Sequence, residues 1–150
     1  MKVVFLDIDG VLNCASDGID KVNKRCVNEF NKIIDQTDAK IVISSSWRDI
    51  YKFDELCNIL HSNGLKGKII GKTPSWKTSH NNNIVGAYGS RAEEIREWLE
   101  ENKELDITKY AVLDDGFMDR EMEPNFVQTD LTEGLDPDDV IKCVKILNDD

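Results

Sequence analysis

A short apolar run near the N-terminus, closed by two carboxylates and a glycine, constrains the fold more than any other stretch. The run Val3–Leu6 is followed by Asp7, Ile8, Asp9 and Gly10. An apolar run bounded by a turn signal predicts a strand buried in a parallel sheet. Residues i and i+2 of a strand point the same way, so Asp7 and Asp9 are expected to leave its C-terminal end together. Ligands of open α/β sheets bind at that edge, which makes this stretch a candidate site.

The two carboxylates predict a bound cation. Side by side they would repel and raise each other's pKa unless a positive charge lay between them. Oxygen ligands suit a hard divalent ion, and Mg²⁺ is the expected one. The alternative is an acidic surface turn, because Asp and Gly are ordinary turn residues. An EF-hand loop does not fit, since its twelfth position would be Gly18 instead of Glu.

Length, charge and cysteine spacing limit the class of protein. A chain of 150 residues predicts a single domain over 1–150 that buries roughly two thirds of its unfolded surface. The net charge of −10 argues against a broad nucleic-acid-binding surface, although a few local cations can still hold one phosphate. No apolar run is long enough to cross a bilayer, so no membrane partner is expected. Four cysteines without a C-x-x-C pair predict reduced packing thiols and a cytoplasmic location.

Strand-like and helix-like patterns alternate along the chain. After the first run, the predicted strands are Lys40–Ser46, Lys68–Gly71, Tyr110–Asp115 and Asn125–Thr129. The first predicted helix is Lys21–Asp35, with Asp20 as its N-cap, and the second is Tyr51–Ser62, which ends at Asn63-Gly64. A third helix is predicted to begin after Ser90, which would form a capping box with Glu93. Asp136-Pro137 is predicted to open the last helix. The stretch 72–89 has no clear period and is expected to be a functional or mobile loop. The alternation predicts an α/β fold in three layers, α/β/α, around a mainly parallel sheet.

Three predicted strands end in polar pairs that belong at one edge of the sheet. The pairs are Asp7 with Asp9, Ser44 with Ser45, and Asp114 with Asp115. The acidic pairs can hold Mg²⁺ jointly, and a hydroxyl can bind a phosphate oxygen. Arg91, in the first turn of the predicted third helix, supplies a cation. Positioning and charge neutralisation of this kind favour phosphoryl transfer, with one Asp as nucleophile and another as acid and base.

These motifs resemble those of the haloacid dehalogenase-like (HAD) phosphatase superfamily. Asp7–Val11 matches its first motif, Ile41–Ser44 its second, and Val112–Asp115 its fourth. The resemblance implies a Rossmann-like HAD core and an Mg²⁺-dependent phosphatase. It assigns Asp7 as the nucleophile that forms an aspartyl phosphate and Asp9 as the general acid and base.

The resemblance also assigns the remaining roles at the site. Ser44 becomes the phosphate ligand, with Ser45 as its rival. The metal ligands become Asp114, Asp115, Asp7 and the main-chain carbonyl of Asp9. The third-motif cation is Arg91, with Lys72 and Lys77 as alternatives. Gly10, Ser45, Lys72 and Arg48 are candidate substrate contacts.

A narrower resemblance is to the HAD domains of multifunctional RNA-repair proteins. It rests on the segments 44–48, 71–74 and 91–99 and implies a nucleotide or nucleic-acid end phosphate as substrate. The stretch between Gly10 and Lys40 is too short for a large cap domain, so an open site is expected. Trp76 and Tyr88 are candidates for stacking on a base.

Two other functions stay open at this point. One is a phosphatase that acts on small metabolites. The other is a non-catalytic domain that accepts a phosphoryl group and signals, as receiver domains do. Receiver domains place their acidic pair and phospho-acceptor on different strands from those predicted here and lack D-x-D-G on the first strand. The presence of Asp9 therefore favours turnover.

Overall fold

The fold is a five-stranded, all-parallel sheet between helices. A computed structural model describes residues 1–75 and 87–149, with the backbone alone for 87–90. The strands are β1 (Lys2–Leu6), β2 (Lys40–Ile43), β3 (Ile69–Lys72), β4 (Lys109–Asp114) and β5 (Phe126–Gln128). The helices in the described residues are α1 (Lys24–Thr37), α2 (Phe53–Ser62), α3 (Ala87–Glu101) and α4 (Pro137–Asn148). The predicted three-layer α/β/α class without a large cap is confirmed.

The strand order β3-β2-β1-β4-β5 places β1 at the centre of the sheet. Leu6 lies opposite Ile43 of β2 and Leu113 of β4. The hydrogen-bond ladder continues one residue further, because Asp7 N donates to the Leu113 carbonyl at 3.0 Å and Ser44 N donates to the Leu6 carbonyl at 2.9 Å. The register therefore brings the ends of three strands to one level.

Both faces of the sheet are buried under helices, as alternating strand side chains require. One apolar cluster holds Val4, Leu6, Ile41, Ile43 and Leu113 under the three helices α1, α2 and α4. The opposite cluster holds Val3, Phe5, Val42 and Val112 under α3. In that second cluster Trp98 meets the ring of Phe5 edge-on at 5.5 Å between centroids. Because helices cover both faces of the sheet, the polar C-terminal ends of the strands are the part where a ligand can bind.

Two predicted helix starts were wrong. Helix α1 begins at Lys24, and its N-cap is Asn23, whose side chain accepts the N–H of Cys26, so Asp20 is not the cap. Helix α3 begins at Ala87, so Ser90 lies inside it. The Glu93 carboxylate pairs with Arg96 at 2.6 Å instead of closing a capping box. By contrast, Asp136 does cap α4, in a capping box with Asp139.

The second strand is shorter than predicted. It ends at Ile43, and a 3₁₀ turn occupies Ser46–Asp49. The Ser45 hydroxyl accepts a hydrogen bond from the N–H of Trp47 and so caps this turn. This cap explains why Ser44, Ser45 and Ser46 lie beyond the end of the strand. Lys72 belongs to β3 and not to the following irregular stretch.

Two short loops pair beside the strand ends. Ala15 N donates to the Leu131 carbonyl at 2.8 Å, and Ser16 N donates to the Thr132 carbonyl at 3.3 Å. The loop after Gly10 is therefore anchored against the loop after β5. All four cysteines are unpaired, and three of them are buried, in line with packing roles. In the part of the chain that the structure describes, no helix has the length and apolarity needed to cross a membrane.

Candidate active site

The site lies at the carboxyl ends of β1, β2 and β4. Asp7, Ser44 and Asp114 occupy equivalent positions on these adjacent strands and are all buried. A parallel sheet fixes such positions through its backbone ladder, not through flexible side chains. Three of the predicted site residues are therefore neighbours because of the strand register itself.

Three carboxylates converge at this edge. Ligand oxygens of Asp7, Asp114 and Asp115 all lie within 4.8 Å of one another. Gly10 makes this approach possible: its φ is +78°, and a Cβ built on it would lie 2.5 Å from Asp115 Oδ2. Hard oxygen donors clustered this closely fit a Mg²⁺ ion, with Asp7, Asp114 and Asp115 as the residues that would hold it.

The electrostatics of this carboxylate cluster also fit a bound cation. Burial and the neighbouring Asp114 raise the pKa of Asp7 well above its usual value, although Arg91 and the Ile8 N–H oppose the shift. Burial and Asp114 likewise raise the pKa of Asp115. Carboxylates that share a buried site are hard to ionise together without a cation. The protein thus holds more negative charge here than Arg91 alone neutralises.

Arg91 reaches the cluster from the first turns of α3. Its Nη1 lies 2.8 Å from Asp114 Oδ2 and 3.6 Å from Asp7 Oδ1. The same nitrogen donates to the carbonyl of Ser44. Arg91 therefore touches all three strand ends. Of its two rivals for the third-motif cation, Lys72 is exposed at the end of β3 and Lys77 lies outside the described residues.

The two candidate serines differ in their hydrogen bonds. Ser44 Oγ is buried, and within the described residues it has no hydrogen-bond partner. Ser45 Oγ instead accepts the N–H of Trp47 at 3.2 Å. A buried hydroxyl without a partner is costly unless a ligand satisfies it. This difference favours Ser44 over Ser45 as the phosphate ligand.

Two other candidate substrate contacts are engaged within the protein. Arg48 is buried, and its guanidinium donates to Glu94 Oε2 and to the Ser45 carbonyl, each at 2.7 Å. Gly10 N donates to Asn13 Oδ1, and the Gly10 carbonyl accepts the hydroxyl of Thr129. These contacts indicate that Arg48 stabilises the segment just after β2 and that Gly10 leaves space for the side chain of Asp115.

Asp9 stands apart from the carboxylate cluster. Its Oδ1 accepts hydrogen bonds from Trp47 Nε1 and from Asn13 Nδ2, each at 3.0 Å. Its side chain is therefore not among the clustered ligands, and its main-chain carbonyl stays a predicted ligand. Of the two aromatics predicted to stack on a base, Trp76 and the side chain of Tyr88 both lie outside the described residues.

Sequence reasoning missed three residues that support this site: Asn13, Trp47 and Glu94. For Glu94 a signal existed, since it lies one helical turn after Arg91, and its Oε1 is 3.7 Å from Arg91 Nε. Asn13 lies only four residues after Asp9, whereas the contact of Trp47 with Asp9 joins segments 38 residues apart and carries no local pattern.

We expect Mg²⁺ to stabilise the protein more at pH 7.5 than at pH 5. Because burial and Asp114 raise the pKa values of Asp7 and Asp115 above their usual value of 3.8, the metal-free folded state binds extra protons and loses stability as pH rises above that usual value. Mg²⁺ needs the ionised carboxylates, so its binding offsets that loss at high pH. At about 100 times Kd the gain is about 2.7 kcal/mol. Melting curves with Mg²⁺ or EDTA at both pH values measure it.

The matched variants for this prediction are Asp114→Asn and Asp35→Asn. Asp35 lies away from the site, where it pairs with Lys66 in solvent, so its variant should keep the Mg²⁺ response. Asp114→Asn should lose it. A response that survives in Asp114→Asn, or that is equal at both pH values, would contradict a metal site at this cluster.

Fold and site together define a class. A parallel α/β sheet whose central strand ends carry a buried carboxylate, a neighbouring acidic pair, a serine hydroxyl and an arginine is the core of a HAD-like, phosphatase-type hydrolase. The chain belongs to the family described as the HAD domain in Swiss Army Knife RNA repair proteins, whose model matches residues 3–140. This confirms the resemblance found in the sequence. Comparisons with curated proteins and with solved structures give no match.

Proposed function

We propose that this chain is a Mg²⁺-dependent phosphomonoester hydrolase that works through an aspartyl phosphate on Asp7, on a nucleotide or nucleic-acid end phosphate. The observation that carries the proposal is the convergence of Asp7, Asp114 and Asp115 within 4.8 Å beside Arg91. Asp7, Asp114 and Asp115 would hold the ion, which when bound neutralises charge on the phosphate oxygens. Family membership supports hydrolase activity and the use of Mg²⁺.

In the first step, a carboxylate oxygen of Asp7 attacks phosphorus. The new bond joins that oxygen to phosphorus, and the bond from phosphorus to the substrate's alcohol oxygen breaks. Asp9 donates its proton to the departing oxygen. Arg91 and the hydroxyl of Ser44 are suited to the non-bridging phosphate oxygens, because charge stabilisation there contributes most to phosphoryl transfer.

In the second step, water attacks the phosphorus of the acyl phosphate. The Asp9 carboxylate, left ionised by the first step, takes a proton from this water. The bond between phosphorus and the Asp7 oxygen breaks, and inorganic phosphate leaves. Both carboxyl groups return to their starting protonation states, so the cycle is balanced.

The family and the open architecture both support the proposed substrate class. The family is named for RNA repair proteins, and this name supports a nucleotide or nucleic-acid end phosphate as the substrate. In the described residues no cap domain covers the strand ends, and an open site admits an oligonucleotide end. The excess of negative charge favours recognition of the terminal phosphate over a long stretch of backbone.

The experiment is phosphate release from a panel of substrates, with Mg²⁺ and with EDTA. The panel contains p-nitrophenyl phosphate, mononucleotides, a sugar phosphate, and RNA and DNA oligonucleotides phosphorylated at the 5′ or the 3′ end. We expect Mg²⁺-dependent release with the highest kcat/KM on an oligonucleotide end. A preference for the sugar phosphate would support the small-metabolite alternative. If a small acyl phosphate donor phosphorylates the protein and no phosphate is then released, the result would support the phospho-accepting alternative.

A further inference from the structure

The acid and base Asp9 is held through one of its two oxygens. Asp9 Oδ1 accepts the indole N–H of Trp47 at 3.0 Å and the amide of Asn13, also at 3.0 Å. No residue in the described ranges donates a hydrogen bond to Asp9 Oδ2. Among the described residues, two donors therefore fix Asp9 Oδ1, whereas Asp9 Oδ2 has no donor.

The donor identities at Asp9 Oδ1 are unambiguous. An indole nitrogen can only donate. The orientation of the Asn13 amide is set by its other contact, because Asn13 Oδ1 accepts the N–H of Gly10 at 2.9 Å. The Asn13 nitrogen must therefore face Asp9, and it also donates to the Ile19 carbonyl at 3.2 Å. Since neither donor can accept a proton, a neutral Asp9 must carry its proton on Oδ2.

The supporting groups are themselves rigid. Trp47 lies in the 3₁₀ turn that Ser45 caps, directly after the predicted phosphate ligand Ser44. Trp47 is 8% exposed, and its ring packs at a tilt against that of Tyr51, with centroids 5.8 Å apart. Asn13 is fully buried. The orientation of Asp9 is thus coupled to the end of β2, where the phosphate is expected to bind.

We propose that Trp47, together with Asn13, is a positioning residue that aims the proton on Asp9 Oδ2 at the leaving oxygen of the substrate. This inference rests on the proposed function. The proton passes from Asp9 Oδ2 to the leaving oxygen as the bond between phosphorus and that oxygen breaks. Without the indole N–H the carboxyl rotates among other orientations, and the proton is delivered less often in the correct geometry.

The test is Trp47→Phe assayed on leaving groups of different quality. A nucleoside or alkyl oxygen needs the proton, whereas p-nitrophenolate leaves almost as well without it. We expect kcat/KM to fall about tenfold to a hundredfold on the alkyl or nucleotide substrate, and by less than about threefold on p-nitrophenyl phosphate. A loss of similar size on both substrates, or no loss on either, would overturn the proposal.

Trp98→Phe is the matched control. Trp98 is also buried, at 5% exposed, but it packs on the opposite face of the sheet against Phe5. The same chemical change there tests the effect of a smaller aromatic ring in the core. We expect the ratio of activities on the two substrates to stay at its wild-type value.

A second measurement separates this proposal from the proposed function. The ¹H–¹⁵N signal of the Trp47 indole should move upfield and exchange faster with solvent in Asp9→Ala, while the Trp98 signal stays in place. If the wild type releases no phosphate but the Trp47 signal responds, the hydrolase proposal fails and the contact stands. If the Trp47 signal does not respond, the positioning contact itself is refuted.

Discussion

Asp7→Asn is expected to reduce phosphate release by about four orders of magnitude or more, because an amide cannot replace the carboxylate nucleophile. The substitution is nearly isosteric, so packing at the end of β1 should be preserved. It also removes the repulsion with Asp114 that helps to raise the pKa of Asp7. The metal-free variant should therefore melt at the same temperature as the wild type or above it. Steady-state phosphate release and a melting curve on one preparation check both statements.

The control variants for Asp7→Asn separate its role from general loss of charge. Asp35→Asn removes a solvent-exposed carboxylate away from the site and should leave kcat unchanged. Asp9→Asn should cost less than Asp7→Asn, about 10² to 10⁴-fold, since it removes proton transfer but not the nucleophile. Residual activity of Asp7→Asn within tenfold of wild type would rule out Asp7 as the nucleophile.

Glu94→Gln is expected to destabilise the fold by about 3–5 kcal/mol, the usual cost of leaving one partner of a buried ion pair without its counter-charge. Glu94 Oε2 lies 2.7 Å from Arg48 Nη2, and the two side chains are 6% and 4% exposed. Arg48 Nε is already buried without a partner among the described residues, so the guanidinium has little access to water. Urea unfolding monitored by tryptophan fluorescence measures the free energy of unfolding.

An exposed ion pair at the C-terminal end of the same helix provides the comparison. Glu100 pairs with Lys103 at 3.0 Å, and their side chains are 75% and 74% exposed. Glu100→Gln should change stability by less than about 1 kcal/mol. The double variant Arg48→Met/Glu94→Leu should recover much of the loss, because apolar residues of similar volume avoid the desolvation cost. A Glu94→Gln effect as small as that of Glu100→Gln would contradict a stabilising role for the pair.

The fold class was predictable because its signals are local. Apolar runs such as Val3–Leu6 can be satisfied only by burial on both faces of a sheet, and amphipathic stretches between them supply the covering helices. Helix starts were less predictable. Asp20 and Asn23 are both good caps, and only the structure shows that the side chain of Asn23 is the one that caps α1. The end of β2 was equally difficult to predict, because it depends on the turn that Ser45 caps.

The composition of the candidate site was also largely present in the sequence. Parallel strands have their carboxyl ends at one edge, so polar residues after β1, β2 and β4 had to be near one another. Arg91 was chosen by its place at the start of a helix, and the structure brings its guanidinium to Asp7 and Asp114. The choice between Ser44 and Ser45 was not decidable from three consecutive serines, because it depends on which hydroxyl the following turn uses.

The sequence by itself determined which chemical groups meet: carboxylates at the ends of β1 and β4, a serine hydroxyl at the end of β2, and a cation. Only the tertiary structure decided how they are held. Trp47 reaches Asp9 from 38 residues away, and Arg48 reaches Glu94 from 46 residues away. Such contacts depend on strand register and on the rotation of each helix over the sheet. Those variables are set by packing of the whole core, so no local pattern encodes them.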